Sequence, residues 1–327
     1  MMWSLALTAA LLAGAVPAQD PGVDMRRLPG ERTPILAGLT VIDIMKIDDS
    51  EQVAMMDFVV RFDWHDERLA GVFEKVTQFD AVQVRLPPIV FLTDRSLRRG
   101  LPEIVSVFPN GDVRYVQRFT GEVSIRLDLA DFPFDRETLE IPIIFPVYPD
   151  EAVIELNEAS LGLAPDFTIA NWSIGEPSFA MEVGSFVSPD HFRLVYRQPL
   201  QRDPTYYIWT VIVPLSFVVA MSWIAFWINP QHIEAQLAVA ATSMLSLVAF
   251  RFALAQLVPP LTYFTRLDLF TIGSTTLVFL ALIEVGATSY LENADRHKLA
   301  MTLDVWSRSI FPASLIVLLW VAFGGVQ

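Results

Sequence analysis

The sequence predicts two dissimilar halves in one chain, a β-sandwich followed by a bundle of four membrane-crossing helices. Three observations predict it. At 327 residues the chain is 53% hydrophobic, with a mean hydropathy of +0.43, too apolar for an ordinary soluble domain. Charge is unevenly placed: from Tyr206 to Leu291 the chargeable residues are Glu234, Arg251, Arg266, Asp268, Glu284 and the weakly basic His232, whereas residues 19–204 hold most of the Asp and Glu behind the net charge of −14. The texture also changes after Pro204, from short β-branched and aromatic runs to long apolar ones.

The chain opens with an export signal over residues 1–18. Leu5 to Val16 is an apolar run too short to span a bilayer, and Val16-Pro17-Ala18 supplies small residues for cleavage before Gln19. Residues 19–204 then form a water-facing domain outside the cytoplasm. Within it Ile35–Met45, Val53–Trp64, Val82–Leu92, Ile104–Phe108, Val113–Phe119, Glu122–Leu129, Leu139–Phe145, Val153–Leu156, Trp172–Ile174, Phe179–Val187 and Phe192–Gln198 read as strands. Alternation is cleanest from Glu122 to Leu129, where polar and apolar side chains take opposite faces. Many short strands at such spacing predict a sandwich.

Residues 205–327 form the membrane domain, with helices at about 205–228, 233–257, 266–291 and 305–325. Each is near or above the length that crosses about 30 Å of hydrocarbon at 1.5 Å per residue. Tyr206, Tyr207, Trp209, Trp223, Trp227, Trp306 and Trp320 lie toward the ends of these runs, where aromatic rings favour the headgroup layer. Four spans below an exported domain place both termini outside a bacterial inner membrane. The joint Asn229-Pro-Gln-His-Ile-Glu234 and residues 292–303 are then cytoplasmic.

Composition excludes several classes. An acidic chain without a basic stripe is no nucleic-acid binder, because phosphate affinity comes from Lys and Arg. There are no cysteines, hence no disulfide or thiolate chemistry. The four histidines, His65, His191, His232 and His297, have no metal-site spacing. Neither a metal nor a cofactor is expected, and without a clustered nucleophile or phosphate-cradling glycine loop neither is an enzyme.

The second helix carries the clearest functional pattern. Glu234, Ala238, Thr242, Leu245, Ala249, Phe252 and Gln256 fall at steps of three and four, on one helical face that runs acidic, small, hydroxylic, then apolar. Several copies around an axis would line a water-filled conduit with it. A ring of Glu234 carboxylates attracts a monovalent cation by roughly 0.7 kcal/mol each at about 6 Å in water. Leu245 and Phe252 would form apolar collars that gate by dewetting. Arg251 lies off this face, at a subunit contact or snorkelling. Glu284 is an intramembrane carboxylate with either a functional or an interfacial role.

From about Ile35 to the C-terminus the chain resembles the pentameric ligand-gated ion channels, the Cys-loop receptor superfamily, and its bacterial branch in particular. The likeness is carried by Trp64-His-Asp-Glu-Arg-Leu69, by Phe132-Pro-Phe-Asp135, by Arg202-Asp-Pro-Thr-Tyr-Tyr-Ile-Trp209 and by Pro214. Ile283-Glu-Val285 with Tyr290-Leu291, and Ser307-Arg308 with Phe311-Pro312, add to it. The two loop cysteines of animal receptors are replaced by Ile125 and Leu139, and the agonist-site W-x-P-D by Arg85-Leu-Pro-Pro88. Leu247 stands where the acid-gated bacterial type carries a histidine. Thr242, Leu245, Ala249 and Phe252 make the amine-responsive type the nearer likeness.

The resemblance implies a homopentamer around a central pore, a small-molecule agonist of amine type, and permeant monovalent cations as partners alongside membrane lipids. It places coupling between the domains at Asp48 or Asp49, at Phe132, Pro133, Phe134 and Asp135, at Arg202, and at Pro259 and Pro260. Ligand contacts are expected from Phe145, Tyr148, Phe186 and Phe192, with Arg61 from the facing strand; aromatic faces attract ammonium groups by roughly 0.5–2 kcal/mol each. An anion channel is disfavoured because Glu234 sits where anion-passing relatives lack an acid. The reading from another class is a membrane-anchored binding or adhesion subunit whose helices only oligomerise.

Overall fold

The structure is a computed structural model that describes residues 22–29, 32–147, 152–165, 167–184, 191–229, 231–254 and 261–325. The N-terminal half consists of two sheets whose strands bury alternate side chains. The larger contains β1 (Thr33–Asp48), β2 (Val53–His65), β3 (Thr77–Asp80), β5 (Arg98–Arg99), β6 (Ile104–Val107), β7 (Asp112–Ser124), β9 (Ala152–Leu156) and β10 (Gly162–Leu163). The smaller contains β4 (Val90–Phe91), β8 (Arg136–Phe145), β11 (Trp172–Ile174), β12 (Ser178–Gly184) and β13 (His191–Arg202). The main paths run β10-β1-β2-β7-β6-β3 and β11-β13-β8-β4.

Phe58, Phe62, Phe145 and Tyr196, all essentially inaccessible, fill the space between the layers. Phe62 meets Phe145 edge-on at 5.4 Å, and Phe58 stacks on Phe119 at 5.7 Å, offset and edge geometries that rings prefer. Ile125 and Leu139, which stand in for the loop cysteines, are both buried in this core. One segment departs from its predicted strand. Val82–Leu92 pairs only at Val90–Phe91, and its start is the 3-10 turn Ala81–Gln83 capped by Asp80. Pro87 and Pro88 supply no N–H, so the alternation of Val82, Val84 and Leu86 has no ladder to join.

Four helices follow: α1 (Thr205–Trp227), α2 (Ile233–Leu254), α3 (Arg266–Asn293) and α4 (His297–Phe323), each long and apolar enough to cross a membrane. α1 is irregular. Its turn Ile208–Ile212 widens to π geometry just before Pro214, which removes one donor from the ladder, and its last turn Trp223–Trp227 tightens to 3-10. α3 starts at a capping box, with Thr265 and Asp268 satisfying each other's backbone N–H groups.

Candidate functional site

The two halves meet at a buried charge cluster drawn from three segments. At the end of β13, Gln198, Leu200 and Arg202 are buried while Pro199 and Gln201 are exposed, so strict alternation turns the Arg202 guanidinium inward. Asp135 immediately precedes β8, which pairs with β13 from Gln201↔Arg136 onward. Asp49 sits in the turn between β1 and β2.

Arg202 is only 4% exposed and Asp135 1%. Its Nε donates to Asp135 Oδ1 at 2.8 Å and its Nη2 to Oδ2 at 3.0 Å, while Nη1 and Nη2 reach Asp49 at 2.7 and 2.9 Å. Both carboxylates are therefore held bidentately by one planar fork, a geometry lysine cannot supply. Aromatic rings close over the cation: Trp172 lies 4.2 Å, Phe132 4.9 Å and Tyr207 6.0 Å from Cζ. Burial works against the charged guanidinium, but Asp49 and Asp135 outweigh it and hold Arg202 further up. Burial pushes the Asp135 carboxyl up, and Arg202 pulls against it.

The loop that contains Phe132-Pro-Phe-Asp135 also grips the helices. Phe132 packs edge-on against Tyr207 of α1 at 4.7 Å, and its carbonyl accepts the Leu267 N–H of α3 at 3.3 Å. Phe134 lies 5.4 Å from Phe323 near the end of α4. Arg266 bridges the loop to that same end, with Nε on Asp131 at 2.6 Å and Nη1 on the Ala322 carbonyl at 3.1 Å. The Leu129 N–H donates to the Tyr263 hydroxyl at 3.1 Å. One loop thus touches α1, α3, α4 and the segment before α3.

Of the two acids expected at this junction, Asp49 is the one on Arg202. Asp48 bonds Lys46 and Ser50 instead, contacts that hold its carboxyl well below the usual range. Pro133 follows a cis peptide from Phe132. Pro259 and Pro260 lie outside the described residues, as do Gln256, Tyr148 and Phe186. The spacing gave no hint of Trp172, a lone aromatic on a three-residue strand, or of the Arg266–Asp131 bridge.

Glu137 was also missed. It occupies the inward phase of β8 with Leu139 and Ile141 and is 7% exposed, and its Oε1 has no hydrogen-bond partner. Burial raises its carboxyl to about 7, assisted by Asp135 and Asp128 and opposed by the Asp128 backbone N–H and by Arg202. A raised carboxyl favours the protonated fold. Its stabilisation is complete below the unfolded value near 4.5 and is lost as pH climbs through about 7. A displacement of that size corresponds to roughly 3 kcal/mol. Thermal denaturation of the purified protein should show a fall in midpoint between mildly acidic and mildly alkaline pH that Glu137→Gln removes.

On α2, Glu234, Ala238, Thr242, Leu245, Ala249 and Phe252 are all exposed, Leu245 and Phe252 at 71% and 75%, while Gln236, Ala240, Ser243 and Leu247 face the other helices. Gln236 Nε2 ties α2 to the end of α1 through the carbonyls of Ala225 and Ile228. Thr242 Oγ1 donates to the Ala238 carbonyl at 2.7 Å.

The expected ligand residues fare differently. Phe145 and Phe192 are paired neighbours on β8 and β13, 0% and 6% exposed within the core. Within one subunit both are packing residues, since β13 buries both of its faces near its start. Arg61 forks onto Asp63 at 2.5 and 2.9 Å, and Asp63 also accepts from Arg114 and Asn157.

A sandwich joined by its terminal strand to four apolar helices, with a buried ion-pair cluster at the joint, defines a multi-pass membrane receptor in which ligand domain and membrane domain are one chain. Residues 21–158 match the description "Neurotransmitter-gated ion-channel ligand binding domain" and residues 211–322 match "Neurotransmitter-gated ion-channel transmembrane region". The chain belongs to this family of Cys-loop pentameric channels, in its bacterial branch; it is a ligand-gated ion channel subunit and not an enzyme. It is similar to a proton-gated ion channel of Gloeobacter violaceus, 26% identical across 99% of this chain and 95% of that protein. It is also similar to the γ-aminobutyric acid receptor subunit beta-4 of Gallus gallus, 28% identical over 83% of this chain, and to a γ-aminobutyric acid receptor subunit beta of Lymnaea stagnalis, 25% identical over 82%. The chain spans 58% and 59% of the length of those two receptors.

Proposed function

We propose that five copies of this chain surround a cation-selective pore lined by α2 in a bacterial inner membrane, with both termini periplasmic, opened by a small molecule bound to the ectodomain. The observation that carries it is the state of α2. Its most apolar stretch is 17% buried within one subunit, against 22% for α4 and 39% for α1 and α3, and of the two uncovered helices it is the one with the acidic, small and hydroxylic face. An uncovered helix whose exposed face starts at Glu234 in the cytoplasmic joint and continues through Ala238 and Thr242 is suited to water at a symmetry axis, with the carboxylate at its mouth. The Arg202 cluster carries motion from the sandwich to α1, and the Phe132–Asp135 loop carries it to α3 and α4.

The agonist class rests on less. Of the aromatic residues proposed for an amine, Phe145 and Phe192 have been assigned to the core, while Arg61 stays half-buried at a cluster of two guanidiniums and one carboxylate. Relatives carry names that refer to protons and to γ-aminobutyric acid, so a useful panel contains amines, amino acids and pH steps. Single-channel recording of the purified protein in planar bilayers under that panel tests the proposal. Ligand-dependent currents are expected, with cysteines at Ala238, Thr242 and Leu245 blocked by aqueous thiol reagents. Silence under every condition, with those cysteines unreachable, would favour the oligomerising binding subunit instead.

A further inference from the structure

Among the described residues, one group of ionisable side chains that neither the junction nor the pore uses is a pair of acids between α3 and α4. Glu284 is 8% exposed and Asp304 1%, and Ser307, at 4%, stands beside them. The two side chains face each other. Among the described residues, Oε1 and Oε2 of Glu284 and Oδ1 of Asp304 have no partner at normal hydrogen-bond geometry, and the Ser307 hydroxyl beside Glu284 is one donor for three acceptor atoms. They lie roughly 13 Å and 10 Å along their helices from the α3–α4 joint, at 1.5 Å per residue, and are buried between the helices.

A carboxylate only accepts hydrogen bonds. Two ionised carboxylates in contact would therefore leave these oxygens without donors while repelling each other in a low-dielectric bundle, a combination that buried acid pairs avoid by sharing a proton. The surrounding charges fit one remaining negative charge. On α4, Arg308 lies one turn from Asp304, with Nε on the Phe226 carbonyl at 2.9 Å and Cζ 5.7 Å from the Trp227 ring. The end of α1, Trp223–Trp227, contributes no titratable group. The charged groups at the near end of α2, His232 and Glu234, are exposed.

We propose that Glu284 and Asp304 share a single proton in a carboxylic acid–carboxylate hydrogen bond that latches α4 to α3, and that loss of this proton to alkaline solvent releases the latch. The shared proton supplies the missing donor and leaves one carboxylate charge against one guanidinium. This rests on α3 and α4 being membrane helices and is independent of what α2 conducts.

The experiment uses the full-length protein in lipid nanodiscs. Above about pH 8, where Glu137 with its value of about 7 is already ionised, the thermal midpoint of the wild type falls further. Asp304→Asn keeps a donor for Glu284 without a titrating proton, so its midpoint stays flat over that range. In a Glu137→Gln background, which removes the other buried carboxyl protonated near neutral pH, the infrared band of a buried protonated carboxyl is present with the native pair and lost when Asp304→Asn or Glu284→Gln is added. If Asp304→Asn tracks the wild-type pH profile, or if the band persists in that variant, the latch is overturned. Should Glu284→Gln fail to assemble, the Asp304→Asn profile and band alone decide, and neither depends on agonist or conductance.

Discussion

Arg202→Ala should destabilise the folded subunit by about 3–5 kcal/mol, the range seen when one partner of a buried ion pair is removed, and should abolish agonist-evoked current in whatever protein still assembles. The size follows from what is left behind. Without the guanidinium, Asp135 at 1% exposure and Asp49 with a side chain 12% exposed face each other with five hydrogen bonds to the fork gone. Trp172, Phe132 and Tyr207 also lose the cation they enclose. Arg202→Lys keeps the charge but provides a point donor instead of a fork, so it recovers only part of the stability. Because Asp135 is the more deeply buried acid, Asp135→Asn should cost more than Asp49→Asn. Thermal midpoints of the four purified variants check the order. An Arg202→Ala protein with wild-type midpoint and wild-type currents would reduce the cluster to decoration.

The double architecture was legible because the two halves obey different solvents. Lipid demands long apolar runs and water on one face of a sheet demands alternation, so the change after Pro204 is written in the residues themselves. The junction was legible only through Phe132-Pro-Phe-Asp135 and Arg202, side chains whose spacing in the chain says nothing of their meeting. Asp48 and Asp49 are adjacent, and which of them reaches Arg202 depends on the turn after β1, where Lys46 and Ser50 claim the first. Phe145 and Phe192 look like cage aromatics in a sequence because nothing local marks an aromatic as core; only the closing of β8 on β13 does so. Asp304 was invisible for a related reason. Its partner Glu284 lies on another helix, and the register between α3 and α4 is set by close packing such as Gly273 under Leu318, where a Cβ would come within 2.3 Å of Leu318 Cδ1.

Glu234→Gln should lower the preference for cations over anions by tenfold or more, read as a shift of the reversal potential toward the anion value in a salt gradient. On the proposed assembly each subunit brings one carboxylate to the cytoplasmic mouth. At roughly 0.7 kcal/mol per charge at about 6 Å in water, five of them sum to about 3.5 kcal/mol of attraction for a cation and the same repulsion for an anion. Salt at about 0.15 M screens charges beyond about 8 Å, which trims the sum without removing it, since a ring at the mouth acts at shorter range. The tenfold expectation therefore uses less than half of the unscreened attraction, 1.4 kcal/mol being about one decade. Glutamine keeps the size and hydrogen bonding of the side chain, so conductance falls but the helix stays seated through Gln236 and the carbonyls of Ala225 and Ile228. Leu245→Ser adds an orthogonal check: wetting an apolar collar should produce leak current without agonist, while leaving the reversal potential where Glu234 sets it. A Glu234→Gln channel with unchanged selectivity would move the filter elsewhere along the pore, and a Leu245→Ser channel that stays silent at rest would move the gate.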